Sequence, residues 1–265
     1  MERNILLTIE YDGTNFSGWQ RQPGIRTVQG ELEKVLTRLC REPVVLSGTS
    51  RTDAGVHALG QRASFQCGPG IPAGRIPLAA NNLLAGSLGT GYACGDIRIT
   101  AAQEMPPDFH ARFNACGKTY RYILRYGGAP EVFDRNYCYH VKGSLDVLSM
   151  QKAAAFMEGT HDFACFQAAG GTPRETTVRT IYSLQVKEAA ENEVHIEVTG
   201  DGFLYNMVRI ITGTLVEIGQ GRRNPEEISG ILASGDRRKA GHTAPPQGLY
   251  LLEIYYSEEV MKERY

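Results

Sequence analysis

The chain has 265 residues, 42% of them hydrophobic and 22% charged, with a net charge of −1 at pH 7. That length suits two domains of ordinary size, and the composition is globular, with no apolar run near the roughly 18 residues of a membrane helix. The near-zero charge excludes a uniformly basic nucleic-acid binder but leaves room for a local basic patch.

Residues 4 to 11 alternate as a strand, which the turn Asp12-Gly13-Thr14-Asn15 ends. From Thr27, an N-cap, the residues Val28, Leu32, Val35, Leu36 and Leu39 form one apolar stripe, which predicts a helix packed on a sheet. Strands near 43–49 and 61–67 follow, and the glycine- and proline-rich stretch 68–95 predicts irregular, partly mobile structure. A second unit opens near residue 97, with strands at 97–102 and 117–126, a helix over about 145–158, and strands at 180–188 and 193–200. A helix over 203–218 comes next, then one with Asn224 as cap, Pro225 in first position and Gly235 at its end. Residues 248–256 read as a closing strand. This order has too few β-α-β crossovers for a doubly wound sheet, so the expected fold class is α+β with mainly antiparallel sheets. The expected division is 1–100 and 101–265.

The stretch Met1 to Asp12 reads as neither a secretory signal nor a transit peptide, which predicts a cytoplasmic protein. Six cysteines stand far apart with no Cys-x-x-Cys pair and read as reduced thiols, and six scattered histidines offer no metal-ligand spacing. Signatures of phosphate-binding loops, zinc peptidases and nucleophile elbows are missing. Gly86-Ser87-Leu88-Gly89-Thr90-Gly91 only loosely suggests a dinucleotide loop, since it follows no clear strand and opens no helix.

Most informative is Gly48-Thr49-Ser50-Arg51-Thr52-Asp53-Ala54-Gly55-Val56-His57, which crowds a carboxylate, a guanidinium and an imidazole into a loop between two strands. A tight Asx turn is one reading of Asp53 and a reacting carboxylate the other. Phe109-His110-Ala111-Arg112-Phe113 and Lys118-Thr119-Tyr120-Arg121-Tyr122 interleave aromatics with cations, which suits stacked bases and held phosphates. From pattern alone Tyr120 fits a half-buried strand tyrosine equally well.

Taken with Tyr11-Asp12-Gly13, Gly18-Trp19-Gln20, Met207-Val208-Arg209 and Ala244-Pro245-Pro246-Gln247-Gly248-Leu249, these blocks resemble the tRNA pseudouridine synthase A family, in its order and through nearly the whole chain. Two departures stand out. Ser50 occupies a position where glycine is commoner in the family, and residues 85–95 make a longer connection than expected. The resemblance implies two ferredoxin-like subdomains joining their sheets around a central catalytic cleft, in a homodimer. It implies isomerisation of uridine to pseudouridine at positions 38 to 40 of the tRNA anticodon arm, with no cofactor or metal. By the same resemblance Asp53 is the essential carboxylate, Arg51 holds the place of the flipped nucleotide, Tyr120 stacks on the uracil, and Arg209 pairs with Asp53. Whether Asp53 adds to the base, attacks C1′ or removes a ribose proton stays open at this level. A non-catalytic RNA-binding module is the main rival. A glycosidic hydrolase is a weaker one, since the Asp53 block offers no second acid.

Overall fold

The computed structural model describes residues 2–86, 94–171 and 175–263, so Ser87 to Gly91 of the glycine-rich motif and most of the longer connection lie outside it. The chain divides into two compact units, one of Met1–Cys116 with Leu251–Ser257 and one of Gly117–Tyr250 with Glu258–Tyr265.

In the first unit, strand β1 (Arg3–Tyr11) runs between β3 (His57–Cys67) and β4 (Ile97–Met105), antiparallel to both. Ile5 faces Phe65 and Leu7 faces Ala63 across the β1–β3 ladder, and Ile5, Leu7 and Ile9 are fully buried. Because β4 is the outer partner of β1, this unit continues past residue 100 to Cys116. Short β2 (Ser47–Gly48) pairs antiparallel with β3, and β10 (Leu249–Tyr255) lies on the other side of β3.

Helix α1 (Val28–Cys40) starts where expected, with the Thr27 hydroxyl accepting from the Gly30 amide and Val28, Leu32 and Leu36 fully buried. Its neighbour α2 (Ile76–Leu84) corrects the expectation of irregular structure over 68–95. Proline here opens a helix instead of breaking one, because Pro77 sits in the first turn, where its missing N–H costs nothing. Asn81 of α2 is bonded to both the amide and the carbonyl of Ile99, which fastens the helix to β4. The expected strand over 43–49 shrinks to β2 because side chains of α1 take its backbone groups. Val44 N–H donates to Thr37 and Leu46 N–H to Glu33, while the Leu46 carbonyl accepts from Gln29.

In the second unit the strand order is β5 (Gly117–Tyr126), β9 (Glu193–Gly200), β8 (Val178–Ala190) and β7 (Gly159–Asp162), each antiparallel to the next. Strand β6 (Tyr139–Val141) runs parallel to β5, so the pairing is mixed where mainly antiparallel sheets were expected. Residues 127–138 supply the crossover that a parallel neighbour needs. Helix α3 (Val147–Ala155) packs on β8 and on α4 (Met207–Gly219), and α5 (Glu227–Ser234) ends at Gly235 in the left-handed region, at φ 60°. The expected helix over 203–218 begins later because Asn206, at φ 59°, breaks the helical path just before it. A last short helix, α6 (Glu258–Lys262), buries Met261. The architecture is a mixed α/β one, and no helix among the described residues is long and apolar enough to cross a membrane.

Candidate active site

The loop from Thr49 to Val56 joins β2 to β3 and is held both through its backbone and through the hydroxyls of Thr49 and Thr52. The Ser50 carbonyl accepts from Gln61 Nε2 at 2.7 Å and the Ser50 amide donates to Gln61 Oε1 at 3.3 Å, so one fully buried side-chain amide acts as a ladder partner. Thr52 Oγ1 lies 2.7 Å from the Tyr11 hydroxyl, and the Thr52 carbonyl accepts from the Trp19 amide. Val56 N–H closes a turn onto the Asp53 carbonyl at 3.2 Å. Thr49, Ser50, Thr52 and His57 are buried, Asp53 is half-buried and Arg51 is exposed. Among the described residues Arg51 makes no hydrogen bond or ion pair, and it shares this one loop with Asp53.

The segment from Asp12 to Arg21 packs over that loop. Buried His57 accepts from the Gly13 amide at Nδ1, 3.0 Å away, and the same nitrogen lies 3.2 Å from Asp12 Oδ1. Asp12 Oδ1 in turn takes the Thr14 amide and hydroxyl, so it serves as the Asx cap of its own turn. The Trp19 ring is 1% exposed, tilted against Tyr11 with centroids 6.1 Å apart. The amides of Val28 and Gln29, which have no partners within α1, donate to the carbonyls of Gly18 and Trp19.

Two polar side chains inside the apolar stripe of α1 tie these pieces together. Gln29 uses its whole amide: Oε1 accepts from Gln20 Nε2 and Arg21 N–H, while Nε2 donates to Glu33 Oε1 and the Leu46 carbonyl. Glu33, 4% exposed, accepts the Leu46 amide at Oε1, and its Oε2 faces Arg21 at 3.1 Å, an ionic contact without hydrogen-bond alignment. A buried carboxylate is tolerated only with such partners. Thus Gln29 and Glu33 join the Trp19 segment to Leu46, which leads into β2 and the Asp53 loop.

The other two expected site residues lie on touching elements of the second unit. Tyr120, on β5, is 8% exposed and meets the Phe203 ring edge to face at 5.3 Å, opposite Val198. Arg209, in the first turn of α4, is half-buried, with Nε donating to the Ala244 carbonyl at 2.7 Å and a second nitrogen donating to Asn206 Oδ1 at 2.9 Å. The Ala244 amide answers the Arg209 carbonyl, so the Met207-Val208-Arg209 and Ala244-to-Leu249 blocks form one substructure. The Tyr122 hydroxyl donates to the Pro245 carbonyl at 2.6 Å, and burial holds that phenol well above its ordinary pKa, against an opposing pull from Arg209. Gly248 lies against the Tyr122 ring, where a Cβ would come within 2.5 Å of Cε1.

Behind this, Glu217 of α4 accepts the His242 amide and ring Nδ1 at Oε1, and the Arg223 guanidinium at Oε2. Burial pushes its pKa up, but these hydrogen bonds and the Arg223 charge outweigh burial and hold the carboxyl down at about 2.

Several basic clusters of the sequence are engaged in folding. Arg26 pairs with Asp96 and lies over the Phe16 ring, Arg223 pairs with Glu217, and Arg238 pairs with Asp236. Arg237 holds the carbonyls of Ala240 and Gly241, and Arg121 pairs with Glu197 across the ladder. All six cysteines are free, and among the described residues no three His, Cys, Asp or Glu side chains converge to hold a metal ion. Sequence reasoning passed over Gln29, Glu33 and Gln61. The first two carried a signal, polar residues on the buried face of a helix, whereas Gln61 within an alternating strand gave none.

Comparison with known proteins adds an independent line. The pattern of a family described as tRNA pseudouridine synthase matches residues 7–114 and 153–257. The tRNA pseudouridine synthase A of Ruminiclostridium cellulolyticum is 50% identical over 254 residues, covering 96% of this chain and all of that protein. Its namesake in Acetivibrio thermocellus is 48% identical over the same shares. The tRNA pseudouridine synthase A 2 of Clostridium tetani is 48% identical over 97% of this chain and all of that protein. Among solved structures, an archaeal box H/ACA sRNP Nop10–Cbf5 complex aligns with 80% of this chain and 44% of its own, at 11% identity and a TM-score of 0.33, too loose a likeness to carry an argument.

Proposed function

Because the chain belongs to the tRNA pseudouridine synthase family, we propose that it isomerises uridine to pseudouridine at positions 38 to 40 of the tRNA anticodon arm, with Asp53 as the essential carboxylate. It is an isomerase acting on tRNA. The bond from ribose C1′ to N1 of the uracil breaks, the base turns over, and C1′ rejoins at C5, whose proton leaves to solvent while N1 takes one up, so the net composition is unchanged. A stacked uridine is out of reach of any side chain. The nucleotide must therefore swing out, at a cost of about a few kcal/mol that contacts along the arm offset.

Asp53 acts as the nucleophile in this reading. Arg51 holds the place that the flipped nucleotide vacates, Tyr120 stacks on the uracil, and Arg209 pairs with Asp53 to steady and aim its charge. The observation that carries the assignment is how the Asp53 loop is held. Its neighbours Ser50, Thr52 and His57 are buried and bonded to Gln61, Tyr11 and Gly13, while Asp53 stays half-open and Arg51 stays in solvent. A loop needed only as a turn requires no such scaffold, whereas a reacting carboxylate must be aimed. The units are of the ferredoxin-like type in this reading, and the enzyme works as a homodimer in the cytoplasm.

The test is tritium release from C5-labelled unmodified tRNA by wild type and Asp53→Asn side by side. Release by wild type alone is expected, with the variant still binding tRNA within about tenfold of wild type, since it keeps the phosphate contacts. Release by Asp53→Asn would overturn the assignment. Tight binding without release by either protein would turn the reading toward a binding module.

A further inference from the structure

The turn after β4 presents an aromatic ring that the fold makes no use of. Phe113 is 75% exposed, although the turn that carries it is among the most firmly anchored in the first unit. Asn4 Nδ2 donates to the carbonyls of Pro106 and Phe109, and the Ala111 amide donates to Ser64 Oγ. Thr49 Oγ1 and the Tyr256 hydroxyl both lie 2.9 Å from the Ala111 carbonyl oxygen, and Phe109 packs on the Tyr256 ring at 5.1 Å. Asn114 closes the turn by accepting the His110 amide at 2.7 Å. Ala111 is fully buried, so this anchor faces inward while Arg112 and Phe113 face out.

The outer side has its own order. The His110 ring lies 4.3 Å from the Phe113 ring, tilted by 35°, and the Arg112 guanidinium lies over the same ring at 5.6 Å. His110 Nδ1 accepts the Arg112 amide, which fixes the imidazole against Phe113. An imidazole, a phenyl ring and a guanidinium are thereby pre-set around one aromatic face, and little side-chain freedom remains to be lost on binding.

We propose that Phe113, backed by His110 and flanked by Arg112, is a stacking platform for one unstacked base of the tRNA beside the reacting uridine. The proposal rests on the tRNA reading above. A base fits better than a protein surface does: beside Phe113 the turn exposes only the small rings of Pro106 and Pro107, too little for the apolar centre of a protein interface, whereas one open aromatic face is enough for one base. The neighbouring cation suits the phosphate of the same nucleotide. Because the turn is bolted to Thr49, four residues before Asp53, the platform and the reacting carboxylate belong to one rigid piece.

The experiment measures KM and kcat by tritium release, and binding by fluorescence of an anticodon arm with 2-aminopurine beside the target uridine. Phe113→Ala and Phe113→Leu should each raise KM and Kd by about tenfold, with kcat within about twofold of wild type and the 2-aminopurine quench lost. Phe113→Tyr should restore both, because the ring is what matters. Melting temperatures should be unchanged, since the side chain contributes almost nothing to the core. Equal KM for Phe113→Ala and wild type would overturn the platform while leaving the function intact. A Leu variant as good as Tyr would also overturn it, by showing that apolar bulk alone suffices, as would an Ala variant whose only change is its oligomeric mass. A wild type that releases no tritium would instead overturn the reading beneath it.

Discussion

Gly48 lies directly against the Trp19 indole, where a methyl group on its Cα would overlap Nε1, Cε2 and Cζ2 of the ring. This contact presses the segment from Asp12 to Arg21 onto the entrance of the Asp53 loop. Gly48→Ala should therefore destabilise the protein by about 1–3 kcal/mol through overpacking. It should also lower kcat, because displacing the ring shifts Trp19, whose backbone amide holds the Thr52 carbonyl. Trp19 is the one tryptophan of the chain, so its fluorescence reports the displacement directly. A wild-type emission spectrum together with wild-type turnover would refute the prediction.

The Gln29–Glu33 pair makes a second prediction. Glu33→Ala strands the Leu46 amide and part of the Gln29 side chain in a buried place, a loss of about 1–3 kcal/mol for each group left unsatisfied. Glu33→Gln keeps an acceptor for Leu46 and Gln29 while replacing the ionic contact with exposed Arg21 by one unpaired amide group, so its loss should be smaller. Urea midpoints of the two variants, ranked Gln above Ala, are the expected result.

Tyr120→Phe removes only the hydroxyl, and the ring keeps its edge contact with Phe203. If the hydroxyl bonds the reacting nucleotide, turnover falls by about tenfold, the worth of one hydrogen bond. Wild-type turnover would mean that the ring alone matters. Single-turnover rates distinguish the two.

Glu217 gives stability a pH dependence of known sign. Its carboxyl sits at about 2 in the folded chain against an ordinary value of 4.5. The stabilisation is therefore complete above about pH 4.5 and is lost as pH falls toward 2. Glu217→Gln should be less stable than wild type at neutral pH, with the gap closing across that window. Denaturant midpoints of both proteins between pH 2 and 7 check it. The effect reaches the site because Glu217 holds His242, two residues before the Ala244 carbonyl that Arg209 grips.

The sequence by itself determined what rests on local chemistry. Thr27 and the stripe of Val28, Leu32 and Leu36 carried α1, alternation carried β1, β5 and β9, and Gly235 marked the end of α5. The separated motif blocks, taken in order through nearly the whole chain, sufficed for the family. Only the tertiary structure decided what depends on partners distant in the chain. Residues 43–46 look like a strand, yet their backbone groups are taken by Thr37, Glu33 and Gln29, and no local pattern records that competition. Strand β6 is three residues long and gains its identity from β5 alone. Asn81 and Gln61 act as substitutes for ladder partners, which becomes visible only once the strands are in place. The openness of Phe113 belongs to the same class: composition marks an apolar residue for burial, and the fold, having taken Ala111 into its core and packed half-buried Phe109 on Tyr256, leaves that ring outside.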